Sequence, residues 1–375
     1  MPMKTSSFLQ RAMFSSIFAL GVCTAFCQNP TAGASQQEVS RVTGRPVRNG
    51  YHFGADLSYM KDAEEKGFKF KENGVVKPGM QIFADHGFNW ARLRIMHTPS
   101  IGRAKLPNDL KYTIAMAQQA KQYGLKVLLN FHYSDSWADP GTQQMPAAWE
   151  GKSQDELIQT VYDYTRETLR AFADAGVYPE MVQVGNEITP GFLWPNGKIS
   201  ENPQGFIDLL RAAVNGVYAS VDATSKPPKI MIHIDKGGDK AATRTFFDRV
   251  INAGVPFDVI GQSYYPRHHG TLMDLRENLH FMAHEYDKDI IIVETAYAME
   301  PVHYIGKPAP FPETPEGQID FLKTIHEMVM ATPNHRGIGF YWWSPARHEG
   351  GKRTLFDTDG NVLPIMYFWD KYTRN

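Results

Sequence analysis

The sequence predicts an α/β chain folded as a single (β/α)8 barrel, on three observations. From Tyr51 onward, eight apolar runs alternate with segments of helical periodicity over about 325 residues. Several runs are continuously apolar, as strands buried on both faces of a parallel sheet are. The runs end on polar or charged residues, as barrel strands do where their C-terminal ends open on a site. A doubly wound open sheet is the alternative, but no G-x-G-x-x-G or G-x-x-x-x-G-K-[ST] follows any strand.

The first strand, 53–59, carries Asp56 and Ser58, and the second, 89–96, carries Arg92 and Arg94 in one parity. The third, 126–133, contains Val127-Leu128-Leu129 and runs to His132, with Asp135 beyond it. A helix follows between Asp155 and Gly176, its apolar stripe Leu157, Val161, Tyr164, Leu169 and Phe172. The fourth strand, 181–188, closes on Asn186 and Glu187, and Phe206, Leu209, Leu210, Ala213 and Val217 stripe the helix after it. Strand five, 229–234, leads to His233 and Asp235; strand six, 257–264, leads to Tyr264 and Tyr265. Strand seven, 289–296, is Ile290-Ile291-Ile292-Val293 closed by Glu294. A helix striped by Ile319, Leu322, Ile325 and Val329 precedes strand eight, 337–343, which ends at Trp343. Pro203 and Pro315 stand near helix starts, where a missing N–H costs little.

Composition narrows the function. The 375 residues are 42% hydrophobic and 21% charged, an ordinary globular balance, and a net charge of −1 carries no basic signature for nucleic acid. Lys4 and Arg11 precede an apolar stretch, 12–26, too short for a membrane span; residues 1–27 read as a secretory signal cut before Gln28. Residues 28–48 read as a flexible leader and 49–375 as the barrel. Both cysteines, Cys23 and Cys27, lie in the signal, so the mature chain has no disulfide. A secreted or periplasmic monomer with no membrane span is expected. A cell-surface lipoprotein acylated at either cysteine stays open, although Leu20-Gly21-Val22-Cys23 is an awkward processing site.

Glu187 closes Met-Val-Gln-Val-Gly-Asn-Glu on strand four, and Glu294 closes Ile-Ile-Ile-Val-Glu on strand seven. Those strands lie across a barrel from each other, so both carboxylates can face one bound sugar. Glycoside hydrolysis needs such a pair: one acid protonates the leaving oxygen while the other attacks or activates water. A lone strand-terminal glutamate usually braces a barrel arginine; two on opposed strands, with Asn186 before the first, point to catalysis. Sugar rings stack on indole, and Trp137, Trp149, Trp194, Trp342 and Trp343 fall in or beside loops at that end. Trp90 and Trp369 read as core, and alternation sends only one of Trp342 and Trp343 inward.

These segments together resemble glycoside hydrolase family 53, the endo-β-1,4-galactanases of clan A, which are TIM barrels. The matching runs are Phe-Gly-Ala-Asp-Leu-Ser (53–58), Asn-Trp-Ala-Arg-Leu-Arg (89–94) and Asn-Phe-His-Tyr-Ser-Asp-Ser-Trp-Ala-Asp-Pro-Gly (130–141). Val-Gln-Val-Gly-Asn-Glu-Ile (182–188), Leu-Trp-Pro-Asn-Gly (193–197), Ser-Tyr-Tyr-Pro (263–266), His-Gly-Thr-Leu (269–272) and Val-Glu-Thr-Ala-Tyr (293–297) follow in family order. The resemblance implies a retaining mechanism on β-1,4-galactan or type I arabinogalactan, with Glu187 as acid/base and Glu294 as nucleophile. It implies hydrogen bonds to Glu294 from Tyr264 or Tyr265 and from Arg92 or Arg94. It also implies a 2-hydroxyl contact from Asn186 and a sugar platform at Trp343. Asp56, Arg94, His132, Asp135, Trp137, Asp235, Tyr264 and Tyr265 complete the set expected at the substrate; for His132, a buried structural role stays open.

The chain departs from the family pattern at Ile95-Met96-His97-Thr98-Pro99, His233-Ile234-Asp235-Lys236-Gly237, Arg267-His268 and Trp343-Ser344-Pro345-Ala346-Arg347. The added cations Lys236, Arg267 and Arg347 suit a decorated or acidic glycan. The alternatives are therefore a related clan A hydrolase on another β-1,4-linked or decorated glycan, and a sugar-binding barrel without turnover. No cofactor and no metal are expected. Asp357-Thr-Asp359-Gly-Asn361 opens like a calcium loop, but Val362 stands where an EF-hand needs Gly and Phe368 where it needs Glu. The resemblance leaves one calcium possible in loop 300–316, after the seventh strand, where some bacterial members of the family carry it, although the loop is rich in proline and poor in acids before Glu313.

Overall fold

The computed structural model describes residues 47–102, 106–221, 226–302, 308–346 and 351–373. The signal, most of the leader, both cysteines and Arg347 lie outside them. Eight parallel strands close into a barrel: β1 (His52–Asp56), β2 (Trp90–Ile95), β3 (Lys126–Phe131), β4 (Met181–Val184), β5 (Lys229–Ile234), β6 (Val259–Tyr264), β7 (Asp289–Thr295) and β8 (Gly337–Trp342). Each pairs with its sequence neighbours, and β8 pairs with β1 to close the ring. The helices are α1 (Met60–Glu65), α2 (Gly79–Asp85), α3 (Leu110–Gln122), α4 (Gln154–Asp174), α5 (Pro203–Tyr218), α6 (Lys240–Asn252), α7 (Leu272–Glu285) and α8 (Pro315–Met330). A two-stranded ribbon, Lys71–Glu72 with Val75–Val76, sits between α1 and α2.

Local chemistry sets the helix starts. Ser153 and Glu156 form a capping box at α4, and α5 and α8 open on Pro203 and Pro315 behind the caps Asn202 and Thr314. Two strands end earlier than the apolar runs predict. β1 stops at Asp56 because its carboxylate accepts the Ser58 N–H at 3.1 Å and folds the chain into a turn. β4 stops at Val184 because Gly185 takes φ 84°; a Cβ there would meet Ile188 Cγ2 at 2.6 Å. Val47 packs against the core, and Arg48 donates to the Met330 carbonyl, so the barrel reaches into the last residues of the expected leader.

Strand parity sorts two cores. Ala91, Leu93 and Ile95 join the large cluster between strands and helices, while Trp90, Leu128, Met181, Met231, Val259, Ile291, Val293 and Tyr341 fill the barrel interior. The inner parity carries polar residues one and two layers higher: Arg92 and Arg94, Asn130 and His132, Gln183, His233, and Ser263. β7 breaks the count. Gly261 pairs with Ile291 and Ser263 with Glu294, so β7 spends three residue steps where β6 spends two. The pairing with β8 shows the same extra step on β7, Phe340 standing opposite Ile292 and Trp342 opposite Thr295. Strict alternation after Ile291 and Val293 sends Glu294 toward the helices; the bulge turns it inward beside Ser263.

Candidate active site

The strands' C-terminal ends enclose a cleft of about 440 Å³, lined by Glu187, Glu294, Asn186, His132, Arg92, Arg94, Trp137, Ala138, Asp139 and Trp343. Arg92, wholly buried, organises its floor. Its Nη1 donates to Glu294 Oε2 at 2.9 Å and to Asp56 Oδ2 at 3.2 Å. Its Nη2 donates to Asn186 Oδ1 at 2.7 Å, and its Nε to Gln183 Oε1 at 3.2 Å. One planar guanidinium thus holds two carboxylates and two amides in fixed relation. Glu294 accepts a second bond from the Tyr265 hydroxyl at 2.9 Å; burial first and the Glu294 charge second raise the proton affinity of that phenol, which stays a donor.

Glu187 sits at φ 49°, an uncommon backbone for a non-glycine residue, just past the end of β4. Its Oε1 accepts the Ser263 hydroxyl at 2.5 Å. Burial and then the charge of Glu294 push its carboxyl well above the ordinary range, against the pull of Ser263 and Arg92. Oxygens of Glu187 and Glu294 and a ring nitrogen of His233 lie within 4.8 Å of one another. That trio is a poor metal site: both His233 nitrogens are engaged, by Gln183 and Asn186 on one side and Ser263 on the other, and Arg92 already faces Glu294. The Asn186 amide donates to the Ala138 carbonyl at 2.9 Å, which leaves one amide hydrogen for the cleft. His132 accepts the Ala138 N–H on Nδ1, and burial followed by Arg94 and Arg92 keep its ring neutral.

Both arginines face the interior, as their shared parity expects, and of the two it is Arg92 that bonds Glu294. Arg94 is clamped between the rings of Tyr59 and Trp137, each 4.4 Å from its Cζ, and lies 3.6 Å from Asp56. Trp343 lines the cleft while Trp342 is fully buried, its indole N–H on the Arg353 carbonyl. Trp90 and Trp369 are core.

Several residues expected at the substrate are held by protein partners. Asp56 spends its oxygens on Ser58 and Arg92. Asp135 accepts the Thr98 and Ala147 N–H groups, both at 2.8 Å, and so ties two loops together. Asp235 is taken by Thr189 and by Lys236 at 2.8 Å, which pairs the lysine's charge. Tyr264 is fully buried with its hydroxyl on the Gly270 carbonyl; Tyr265, of inner parity, reaches Glu294. Trp149 packs against His97 and Tyr164 in the core. Asp357 folds a turn, its Oδ1 accepting the N–H groups of Asp359 and Asn361. Sequence reasoning named His233 at a strand end without giving it a role, and it passed over Ser263; both lie beneath Glu187. It also passed over Arg353, whose Cζ lies 5.0 Å from the Trp343 ring. Inner parity on β5 and β6 was the available signal for the first two.

The model of glycosyl hydrolase family 53 matches residues 52–371. The chain belongs to that family. An uncharacterised protein of Niallia circulans is 39% identical to this family 53 hydrolase over 340 residues, 83% of this chain and 91% of its own. A probable arabinogalactan endo-β-1,4-galactanase A of Aspergillus terreus is 38% identical over 305 residues, 78% of this chain and 85% of its own. The solved family 53 catalytic domain of Ignisphaera aggregans matches with a TM-score of 0.80 at 32% identity, over 88% of this chain and 99% of that one. The molecule is a glycoside hydrolase on a closed (β/α)8 barrel. No helix among the described residues is long and apolar enough to cross a membrane.

Proposed function

We propose that this family 53 hydrolase is a secreted, retaining endo-β-1,4-galactanase in which Glu294 is the nucleophile and Glu187 the general acid/base. The observation that carries the reading is the approach of the two carboxylates, whose oxygens come within 4.8 Å. Retaining pairs stand about 5–5.5 Å apart, whereas inverting pairs leave about 6.5–9.5 Å for a water. A Glu294 oxygen attacks the anomeric carbon as Glu187 gives its proton to the departing glycosidic oxygen, leaving a glycosyl ester on Glu294. Glu187, now a carboxylate, takes a proton from the water that attacks the same carbon, and the ester bond breaks. The raised proton affinity of Glu187 suits the first step, and conversion of Glu294 to an ester removes one cause of it before the second. In this reading Asn186 holds the 2-hydroxyl, and Trp343 and Trp137, which line the same cleft, serve as sugar platforms. No cofactor enters this chemistry.

The galactan assignment follows the relatives named as arabinogalactan endo-β-1,4-galactanases, and export follows the basic and apolar N-terminus. The test incubates residues 28–375 with unbranched β-1,4-galactan, mannan and xylan, following reducing ends, oligomer size and the anomer first released. Galactan cut to short oligomers of β configuration, with Glu187→Ala and Glu294→Ala both silent, is the expected result. Initial release of the α-anomer would refute the retaining mechanism. Turnover of mannan or xylan in place of galactan would reassign the substrate, and turnover of none would favour a binding barrel.

A further inference from the structure

Beneath Glu187 lies a buried row of polar groups that the two-carboxylate mechanism leaves unused. We infer that His233 and Ser263 are positioning residues that decide which oxygen of Glu187 carries the reacting proton. The inference rests on the reading of Glu187 as acid/base.

The direction of each hydrogen bond in the row can be worked out from its far end. Arg92 has only donors, so its Nε bond fixes Gln183 Oε1 as acceptor. The Gln183 NH2 then faces His233 Nδ1, 3.0 Å away, as a donor that cannot accept from it, with Asn130 Oδ1 at 2.7 Å, the Gly185 carbonyl at 3.0 Å and Asn186 Oδ1 at 3.1 Å as its other acceptors. Asn186 Oδ1, 3.2 Å from the same nitrogen, already accepts from Arg92 and Asn130. Burial, Arg92, His132 and His269 together hold the His233 ring neutral, so it carries one proton. With Nδ1 accepting, that proton is on Nε2 and is donated to Ser263 Oγ at 2.8 Å. The serine hydrogen then has one direction left, toward Glu187 Oε1 at 2.5 Å. A proton on Oε1 would face the serine hydrogen head-on. The acidic proton is therefore confined to Oε2, which makes no hydrogen bond to any described residue and belongs to a side chain lining the cleft.

The same oxygen then serves both half-reactions. It gives its proton to the glycosidic oxygen as the C–O bond breaks, and later takes one from the attacking water. The serine bond to Oε1 persists throughout and strengthens when Glu187 is charged. It thus opposes burial, Glu294 and Asp235, which hold the proton on, and acts with Arg92. Tyr265, the remaining titratable neighbour, stays neutral.

The test compares Ser263→Ala, Ser263→Thr and His233→Asn with wild type in the full chain, on galactan and on a dinitrophenyl β-galactobioside, whose leaving group departs without protonation. For Ser263→Ala, kcat/KM on galactan should fall about 10- to 100-fold. On the activated substrate it should fall less than about threefold, and the basic limb of the galactan pH profile should move up. Ser263→Thr, which keeps the hydroxyl, should recover most of the loss; His233→Asn should show the same substrate selectivity in weaker form. Equal losses on both substrates with an unmoved pH limb would mean a structural role only and would overturn the inference. Glu187→Ala, run alongside, separates the two failures. If its kcat/KM, which reports formation of the ester on Glu294, falls as far on the activated substrate as on galactan, the acid/base assignment itself falls. If it is selective and Ser263→Ala is not, only the positioning role falls.

Discussion

Arg92→Lys tests whether the guanidinium fork, rather than its charge alone, holds the site together. Arg92 makes four buried bonds: to Glu294 at 2.9 Å, Asp56 at 3.2 Å, Asn186 at 2.7 Å and Gln183 at 3.2 Å. An ammonium on a shorter reach can keep the two carboxylates but not the two amides as well. Gln183 Oε1 then loses its donor in the barrel interior, at about 1–3 kcal/mol. Asn186 Oδ1 keeps Asn130 and Gln183 as donors, both at 3.1 Å, and loses about 0.5–1.5 kcal/mol. Together, about 1.5–4.5 kcal/mol, these losses should appear as a lower urea midpoint at unchanged slope. Because Asn186 and Glu294 are aimed by the same group, kcat should fall about 10- to 100-fold. Arg92→Met should be worse, since it leaves Glu294 and Asp56 buried without a cation. A lysine variant with the wild-type urea midpoint and kcat within twofold of wild type would refute the reasoning.

Three further outcomes follow from other contacts. Glu187→Gln should abolish galactan cleavage while stabilising the fold. Below pH 4.5 folded and unfolded chains both hold the proton, and above it the unfolded chain releases what the fold withholds. The advantage of Gln therefore grows as the pH rises from there, read from urea midpoints across pH 4–8. Tyr265→Phe should cost about 10- to 100-fold in kcat by removing a bond to Glu294, whereas Tyr264→Phe should cost less than about threefold; steady-state kinetics on galactan separates them. Asp135→Ala should destabilise by about 2–4 kcal/mol through two orphaned loop amides yet leave KM within about twofold, a pairing that thermal melts and kinetics read together.

The barrel and its acid pair were legible because each depends on one segment at a time. An apolar run that ends in Glu187 or Glu294 announces a strand and its mouth without reference to any neighbour. Parity within one strand likewise sorts Trp342 from Trp343, and it would have sorted Tyr264 from Tyr265 had β6 been counted from Val259. What stayed hidden needs two segments at once. Asp135 resembles a site acid until the amides of Thr98 and Ala147 are seen to claim it. Ser263 and His233 acquire a role only when β5 and β6 close beside β4. The Lys236 charge looked available to a ligand until Asp235 folded back on it.

The slip in β7 has an evolutionary reading. A relative that gained one residue between Ile291 and Glu294, with the single bulge kept, would keep the acid, its apolar strand and a closed ring of eight. It would turn the acid toward the outer helices and could no longer attack a sugar. In such a lineage activity can vanish through spacing, with every functional side chain still written in the gene. An audit of inactive family members by residue identity would pass it as competent; counting from strand six to strand seven would not.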